Sequence, residues 1–228
     1  MGYGLNTMNT CLIIFAKSPI PCKVKTRLTP KITPSKAAEL YKAFIVDIVN
    51  NVHKLKCDKV IIAYTPYNAE MALHRLVGRS LNYLPQKGHN LGERMKNAFK
   101  HSFAKGLKRT VIIGTDSPTL PVSYIQKAFD VLKETPIVIG PTFDGGYYLI
   151  GLSEPNDNIF DGVRWSTSSV FSQTLARIKG VNKRLYLLPP WYDVDTSEGL
   201  EFLKSHLLAM RLSGFEEIPD KTMRFLKI

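Results

Sequence analysis

Asp193-Val194-Asp195 sets two carboxylates two residues apart. In an extended backbone such residues point to the same side, and two acids so placed repel each other unless a cation or a proton sits between them. A third carboxylate, Asp116, closes the run Val111-Ile112-Ile113-Gly114-Thr115-Asp116, followed by Ser117-Pro118. A short β-branched apolar run bounded by Gly reads as a buried parallel strand. In open α/β sheets, ligands bind outside the carboxyl ends of such strands. Carboxylates at that position suit a hard cation bound through oxygen, Mg²⁺ or Mn²⁺, and such a cation grips a diphosphate. The sequence holds no His/Cys cluster that would favour zinc. The competing reading is structural: Asp116 caps the next helix or turn, and the Asp193/Asp195 pair is an N-cap plus a surface acid.

Two further stretches carry chemistry. Lys17-Ser18-Pro19-Ile20-Pro21-Cys22-Lys23-Val24-Lys25-Thr26-Arg27 is too rich in Pro for regular structure and holds four cationic side chains. Lys17, Lys25 and Arg27, with Ser117, are candidate nucleotide- or phosphate-binding residues, Arg27 by a bidentate fork; solvated surface is the alternative. The loop is neither a Walker loop nor a GxGxxG turn. In Gly140-Pro141-Thr142-Phe143-Asp144-Gly145-Gly146-Tyr147-Tyr148, Gly145 and Gly146 let a ligand approach the backbone. Tyr147 and Tyr148 offer faces against which a sugar or base packs, and Gly145, Gly146 and Tyr147 are the candidate substrate-binding residues. Asp144 is the candidate base for an acceptor hydroxyl. A plain hairpin turn also explains the glycines.

These stretches need a frame that brings them together. Strands are expected at Cys11–Ala16, Lys59–Tyr64, Leu81–Leu84, Thr110–Gly114, Pro136–Gly140, Tyr147–Gly151 and Arg184–Leu188. Helices are expected from Thr33-Pro34 to His53, and over Asn68–Leu76, Glu93–Lys105, Val122–Lys133, Ser166–Lys179 and Thr196–Arg211. This alternation predicts a doubly wound, mainly parallel sheet with helices on both faces. The loops after the strands then share one edge, where the cationic loop, Asp116, the Asp144 turn and the Asp193/Asp195 loop converge.

The 228 residues suffice for one well-buried α/β domain, and 44% hydrophobic content with a mean hydropathy of -0.08 fits a water-soluble globular chain. No apolar run reaches membrane-spanning length. Residues 1–8 lack a basic n-region and a cleavage site, so no secretory signal is expected. Three cysteines, odd in number and without CxxC spacing, suit a reducing cytoplasm. The net charge of +12 and pI near 9.6 fit an anionic partner. Without aromatic–basic interleaving or zinc-finger spacing, phosphorylated small molecules are the expected partners and specific nucleic acid is not.

FAKSPIPCKVKTRL, LGERM, IGTDSPTLP, GPTFDGGYYLIGL, RWSTSSV and DVDT occur here in the order found in bacterial DUF2064 proteins, which this chain resembles from Leu12 to about Leu203. That family is described as glycosyltransferase-A-like nucleotide-diphospho-sugar transferases, some grouped as radical-SAM/selenodomain-associated or arsenosugar-biosynthesis glycosyltransferases. It is similar to the guanylyltransferases that make the F420 precursor and to molybdenum-cofactor nucleotidyltransferases. The resemblance implies a Rossmann-like glycosyltransferase-A fold over residues 9–212, with residues 213–228 as a tail packed on it. It implies Asp116 as the metal-binding acid of a reduced DxD motif, Asp193 and Asp195 as the acids that complete the site, and Lys17, Lys25 and Arg27 as phosphate cations. Cys22 stands where the family usually has Gly. The expected activity is metal-dependent transfer from a nucleotide-diphospho-sugar to a small-molecule acceptor. The alternatives are nucleotidyl transfer from an NTP to a phosphorylated acceptor, with release of pyrophosphate, and a non-catalytic nucleotide-binding module. Sugar, base, acceptor and oligomeric state are left open.

Overall fold

The computed structural model describes residues 9–228; residues 1–8, on which the secretory-signal expectation falls, lie outside the described residues. The strands are β1 (Thr10–Lys17), β2 (Lys59–Thr65), β3 (Asn82–Pro85), β4 (Arg109–Ile113), β5 (Ile137–Pro141), β6 (Tyr147–Leu152) and β7 (Leu185–Leu187). They form one sheet in the order β3-β2-β1-β4-β6-β5-β7. All neighbours run parallel except at β6, which is antiparallel to both β4 and β5. Because β6 alone is reversed, the β5–β6 turn lies on the same edge as the carboxyl ends of β1, β4 and β7. The chain departs from β1 toward β2 on one side and returns as β4 on the other, which makes the β1/β4 crevice the switch point.

β1 shows why helices cover both faces. Leu12, Ile14 and Ala16 enter one core and Cys11 and Ile13 the other, all at most 1% exposed. A strand buried on both sides reads as an unbroken apolar run. The first core receives α1 (Pro34–Val52), α2 (Glu70–Val77), α4 (Val122–Val131) and α6 (Ser197–Leu212); the second receives α3 (Leu91–Ala104) and α5 (Val170–Gly180). α1 starts as its sequence demands: Thr33 accepts from the Lys36 amide, Pro34 opens the helix, and Leu40, Tyr41, Phe44, Ile48 and Val52 form the buried stripe.

Two expectations change. The helix expected from Ser166 begins at Val170, because Ser166 adopts φ 63° and the Thr167 hydroxyl donates to the Arg164 carbonyl at 2.7 Å, holding the segment in a loop. No helix is expected beyond about Arg211, whereas the tail contains α7 (Asp220–Leu226), which lies against α1. Asp47 of α1 accepts from the Lys221 amide at 2.9 Å, the Thr222 amide at 2.7 Å and the Thr222 hydroxyl at 2.7 Å, capping that helix from the core side. Among the described residues, no helix is long and apolar enough to cross a membrane.

Candidate active site

A cleft of about 960 Å³ opens over the β1/β4 crevice. Lys17, Lys25, Arg27, Asp116, Asp144, Gly146, Tyr147, Asp193 and Asp195 all line it, so nine sequence candidates meet in one place. Asp193 and Asp195 reach it because the chain after β7 crosses the sheet edge. Trp191 donates its amide to Pro141 at 3.0 Å, and the Val194 amide then bonds the Asp116 carbonyl at 2.9 Å. The loop after β7 is thereby stitched to the end of β4. A relay fixes the ends of β1 and β4: the Lys17 amide donates to the Tyr41 hydroxyl at 3.1 Å, that hydroxyl bonds Thr115 Oγ1 at 2.6 Å, and Thr115 donates to the Phe15 carbonyl at 3.1 Å.

Lys25 is at the centre of the acids. Its ammonium donates to Asp116 Oδ1 at 2.5 Å, Asp195 Oδ1 at 2.9 Å and the Val194 carbonyl at 2.9 Å. An ammonium has three N–H groups, and in this structure Asp116, Asp195 and Val194 take all three. Burial pulls its pKa down, but the Asp116 and Asp195 carboxylates outweigh burial and raise it. Burial likewise works to raise Asp195, and Lys25 outweighs it, leaving Asp195 lowered, with help from Arg27 and Lys17. Asp193 lacks such a partner. Burial first, and Asp116 second, push it up to about 7, although Ser117 donates to its Oδ1 at 2.5 Å. Ser117 is thus a support beneath Asp193 and does not itself line the cleft.

Of the four cations from Lys17 to Arg27, Lys17, Lys23 and Arg27 are exposed and line the cleft. Cys22 adopts φ 63° and Lys25 φ 49°, so the left-handed position that the family fills with Gly is kept by Cys22 here. The second left-handed residue turns Lys25 inward while its neighbours Thr26 and Arg27 stay outside.

Other candidates take roles the sequence did not assign. Asp144 is exposed at the β5–β6 turn, and its Oδ1 accepts from Thr142 Oγ1 at 2.5 Å and the Gly146 amide at 3.1 Å, closing its own turn. Gly145, at φ 89°, makes room for the protein and not for a ligand: a Cβ there would stand 2.0 Å from the Ser168 carbonyl. The Phe171 amide donates to the Gly145 carbonyl at 2.8 Å, so this turn anchors the start of α5. Tyr147 lines the cleft; its hydroxyl is buried with no well-formed hydrogen bond among the described residues, and burial raises its pKa against the lowering effect of Thr174. Tyr148 is withdrawn into the core and donates to the Pro189 carbonyl at 2.9 Å.

The opposite wall was not assigned from the sequence. Gln86, His89, Asn90, Arg94 and Trp165 line it. Trp165 packs so closely on Gly92 that a Cβ at that glycine would lie 2.4 Å from the ring. Both segments carry motifs of the resemblance, LGERM and RWSTSSV, but neither string names a chemistry and their order does not show that they touch.

The acids suit a divalent cation in charge and donor type. Asp116, Asp193 and Asp195 carry three carboxylates against one buried ammonium, and Asp116 Oδ2 takes no hydrogen bond from the described residues. Among the described residues, however, no three His, Cys, Asp or Glu side chains stand close enough to enclose a metal ion. These acids would supply only part of a coordination shell, the arrangement in which Mg²⁺ is held together with substrate phosphates.

Comparison with known proteins gives a consistent result. The family model described as "Uncharacterized protein conserved in bacteria (DUF2064)" matches residues 48–167. A Desulfovibrio desulfuricans G20 crystal structure, described provisionally as a nucleotide-diphospho-sugar transferase, superposes with a TM-score of 0.88 at 34% identity, covering 96% of this chain and 94% of that one. The 2-phospho-L-lactate guanylyltransferase of Methanobrevibacter ruminantium is 25% identical over 207 residues, which is 85% of this chain and 86% of the relative. Rv0371C of Mycobacterium tuberculosis H37Rv, solved as a manganese complex, shares the fold at 12% identity and a TM-score of 0.52, covering 86% of this chain and 98% of that one.

Proposed function

The chain belongs to the DUF2064 family, and from that premise we propose that it is a metal-dependent transferase whose donor is a nucleotide-diphospho-sugar. The observation that carries this reading is the convergence of Asp116, Asp193 and Asp195 with Lys17 and Arg27 in one cleft at the switch point of the sheet. The relatives are transferases of the nucleotidyl or nucleotide-sugar kind, and this chain is transferase-like in the same sense. Asp116 and Asp195 would hold Mg²⁺ or Mn²⁺ by their second carboxylate oxygens, with Asp193 as the third acid of the site. When bound, the cation supplies positive charge to the leaving diphosphate. Lys17 at the end of β1 and Arg27 on the segment after it, both exposed, neutralise the remaining phosphate oxygens. Tyr147 and Trp165 give apolar faces for the sugar or base. Asp144 is the candidate base for the acceptor through the oxygen its turn leaves free; a retaining reaction needs no such base.

A second reading, nucleotidyl transfer from an NTP to a phosphorylated acceptor, is favoured by the guanylyltransferase relative aligned over 86% of its length. The same acids and cations serve it. Incubation with UDP-, GDP-, ADP- and CDP-sugars, and separately with NTPs plus phosphorylated hydroxy acids, decides between them. Release of nucleoside diphosphate supports glycosyl transfer, and release of pyrophosphate the alternative. Chelating divalent cations is expected to abolish most of the stabilisation by nucleotide; unchanged nucleotide binding in chelator would reduce the acids to structural caps.

Arg27→Ala is expected to weaken nucleoside diphosphates at least about tenfold while leaving nucleosides unaffected. The loss of a charge-assisted hydrogen bond costs roughly 1.5–3 kcal/mol. Calorimetric titration of both ligand classes checks this, and superimposable curves for mutant and parent would return Arg27 to the solvated surface.

A further inference from the structure

Lys25 is placed as few lysines are. Its side chain is 2% exposed, whereas the two carboxylates it joins, Asp116 and Asp195, keep 43% and 39% of their side chains open. The ammonium lies 5.7 Å from the Tyr41 ring centre and 5.4 Å from that of Phe44, within cation–π reach of both. One carboxylate comes from the end of β4 and the other from the loop after β7, segments 79 residues apart in the chain (195 − 116). The backbone bond from Val194 to the Asp116 carbonyl fixes their spacing only at the main chain. At the side-chain level, Lys25 is what stands between two like charges.

We propose that Lys25 is a positioning residue that acts as a resident cation: it holds Asp116 and Asp195 together from below, so that their outer oxygens face the cleft ready for a divalent ion. This inference rests on the transferase reading above and adds to it the device that prepares its acid pair. Each acid gives Oδ1 to the ammonium, which leaves the second oxygen for the incoming ion. The ammonium is not displaced when that ion arrives, because the Val194 carbonyl and the two rings keep it in place. Without it, the acids repel each other and the pair opens until a metal ion replaces the missing charge.

The test melts the parent and Lys25→Met in chelator, and again in Mn²⁺ alone without nucleotide. Methionine keeps an unbranched stem between Tyr41 and Phe44 and removes the charge together with its hydrogen bonds to Asp116, Asp195 and the Val194 carbonyl. In chelator, Lys25→Met is expected to melt below the parent, and Mn²⁺ to raise its melting temperature by at least about twice the shift seen in the parent. A lysine that merely filled the core, or one that gripped phosphate, would leave the Mn²⁺ shift unchanged, so equal shifts overturn the inference and leave the transferase reading intact. If neither protein responds to Mn²⁺, the metal reading itself fails and the inference fails with it. Lys25→Met combined with Asp195→Asn provides the second arm. With one carboxylate neutral, the double variant is expected to regain part of the lost melting temperature in chelator and to lose the enlarged Mn²⁺ shift. A double variant no more stable than the single one, or failure of both to fold, overturns the proposal by assigning Lys25 to packing.

Discussion

Asp116→Asn is expected to lower turnover by about a hundred- to a thousandfold, the usual consequence of removing one preorganised electrostatic contact. Asn keeps the size and one acceptor oxygen, so the loop after β4 retains its shape. The Val194 amide still bonds the residue 116 carbonyl, a backbone group that the substitution does not touch. Stability is expected to fall as well, because Asp116 pairs with a Lys25 ammonium that is 2% exposed. Asp195 and the Val194 carbonyl continue to hold that ammonium, and Asp116 itself is partly open to solvent. The cost is then about 1–2 kcal/mol, or roughly 2–8 °C in melting temperature for a chain of this size. Product release measured beside thermal melting separates the two effects. Parental turnover in a variant with a lowered melting temperature would make Asp116 a partner of Lys25 and nothing more.

Gly145→Ala is expected to destabilise the protein by about 2–5 kcal/mol, a drop on the order of 10 °C in melting temperature. Two effects add. The residue sits at φ 89°, which a side chain rarely adopts, and its Cβ would lie 2.0 Å from the Ser168 carbonyl, a backbone atom with no rotamer to escape into. The β5–β6 turn and the loop before α5 must then part, and both line the cleft. Gly146→Ala is the control. Its Cβ would meet Thr142 Oγ1 at 3.1 Å and Asp144 Oδ1 at 3.4 Å, both ends of side chains, so a much smaller loss is expected. Equal melting temperatures for the two variants would mean that the Gly145–Ser168 packing does not hold the cleft wall.

The secondary structure was legible because burial on both faces of a parallel sheet writes itself as apolar runs. Val111–Ile113 and Cys11–Ala16 have no other stable place than the interior. The shared edge of the loops was also legible, since it follows from alternation of strands and helices. The six ordered motifs carry the resemblance to the family to which the chain belongs. What local pattern does not encode is the direction of a side chain in an irregular loop. Lys17, Lys25 and Arg27 look equivalent as cations in a Pro-rich segment, yet φ 49° at Lys25 turns that ammonium into the interior and leaves the others outside. Gly145 and Gly146 look equivalent as well, until the Ser168 carbonyl is packed against one of them. In both cases the deciding neighbour, Asp195 for Lys25 and Ser168 for Gly145, is distant in sequence and arrives only when the sheet order is set. Charge, burial preference and periodicity are properties of the chain and could be read from it; which opposite charge or carbonyl a residue finally meets is a property of the folded contacts, and only the tertiary structure decided it.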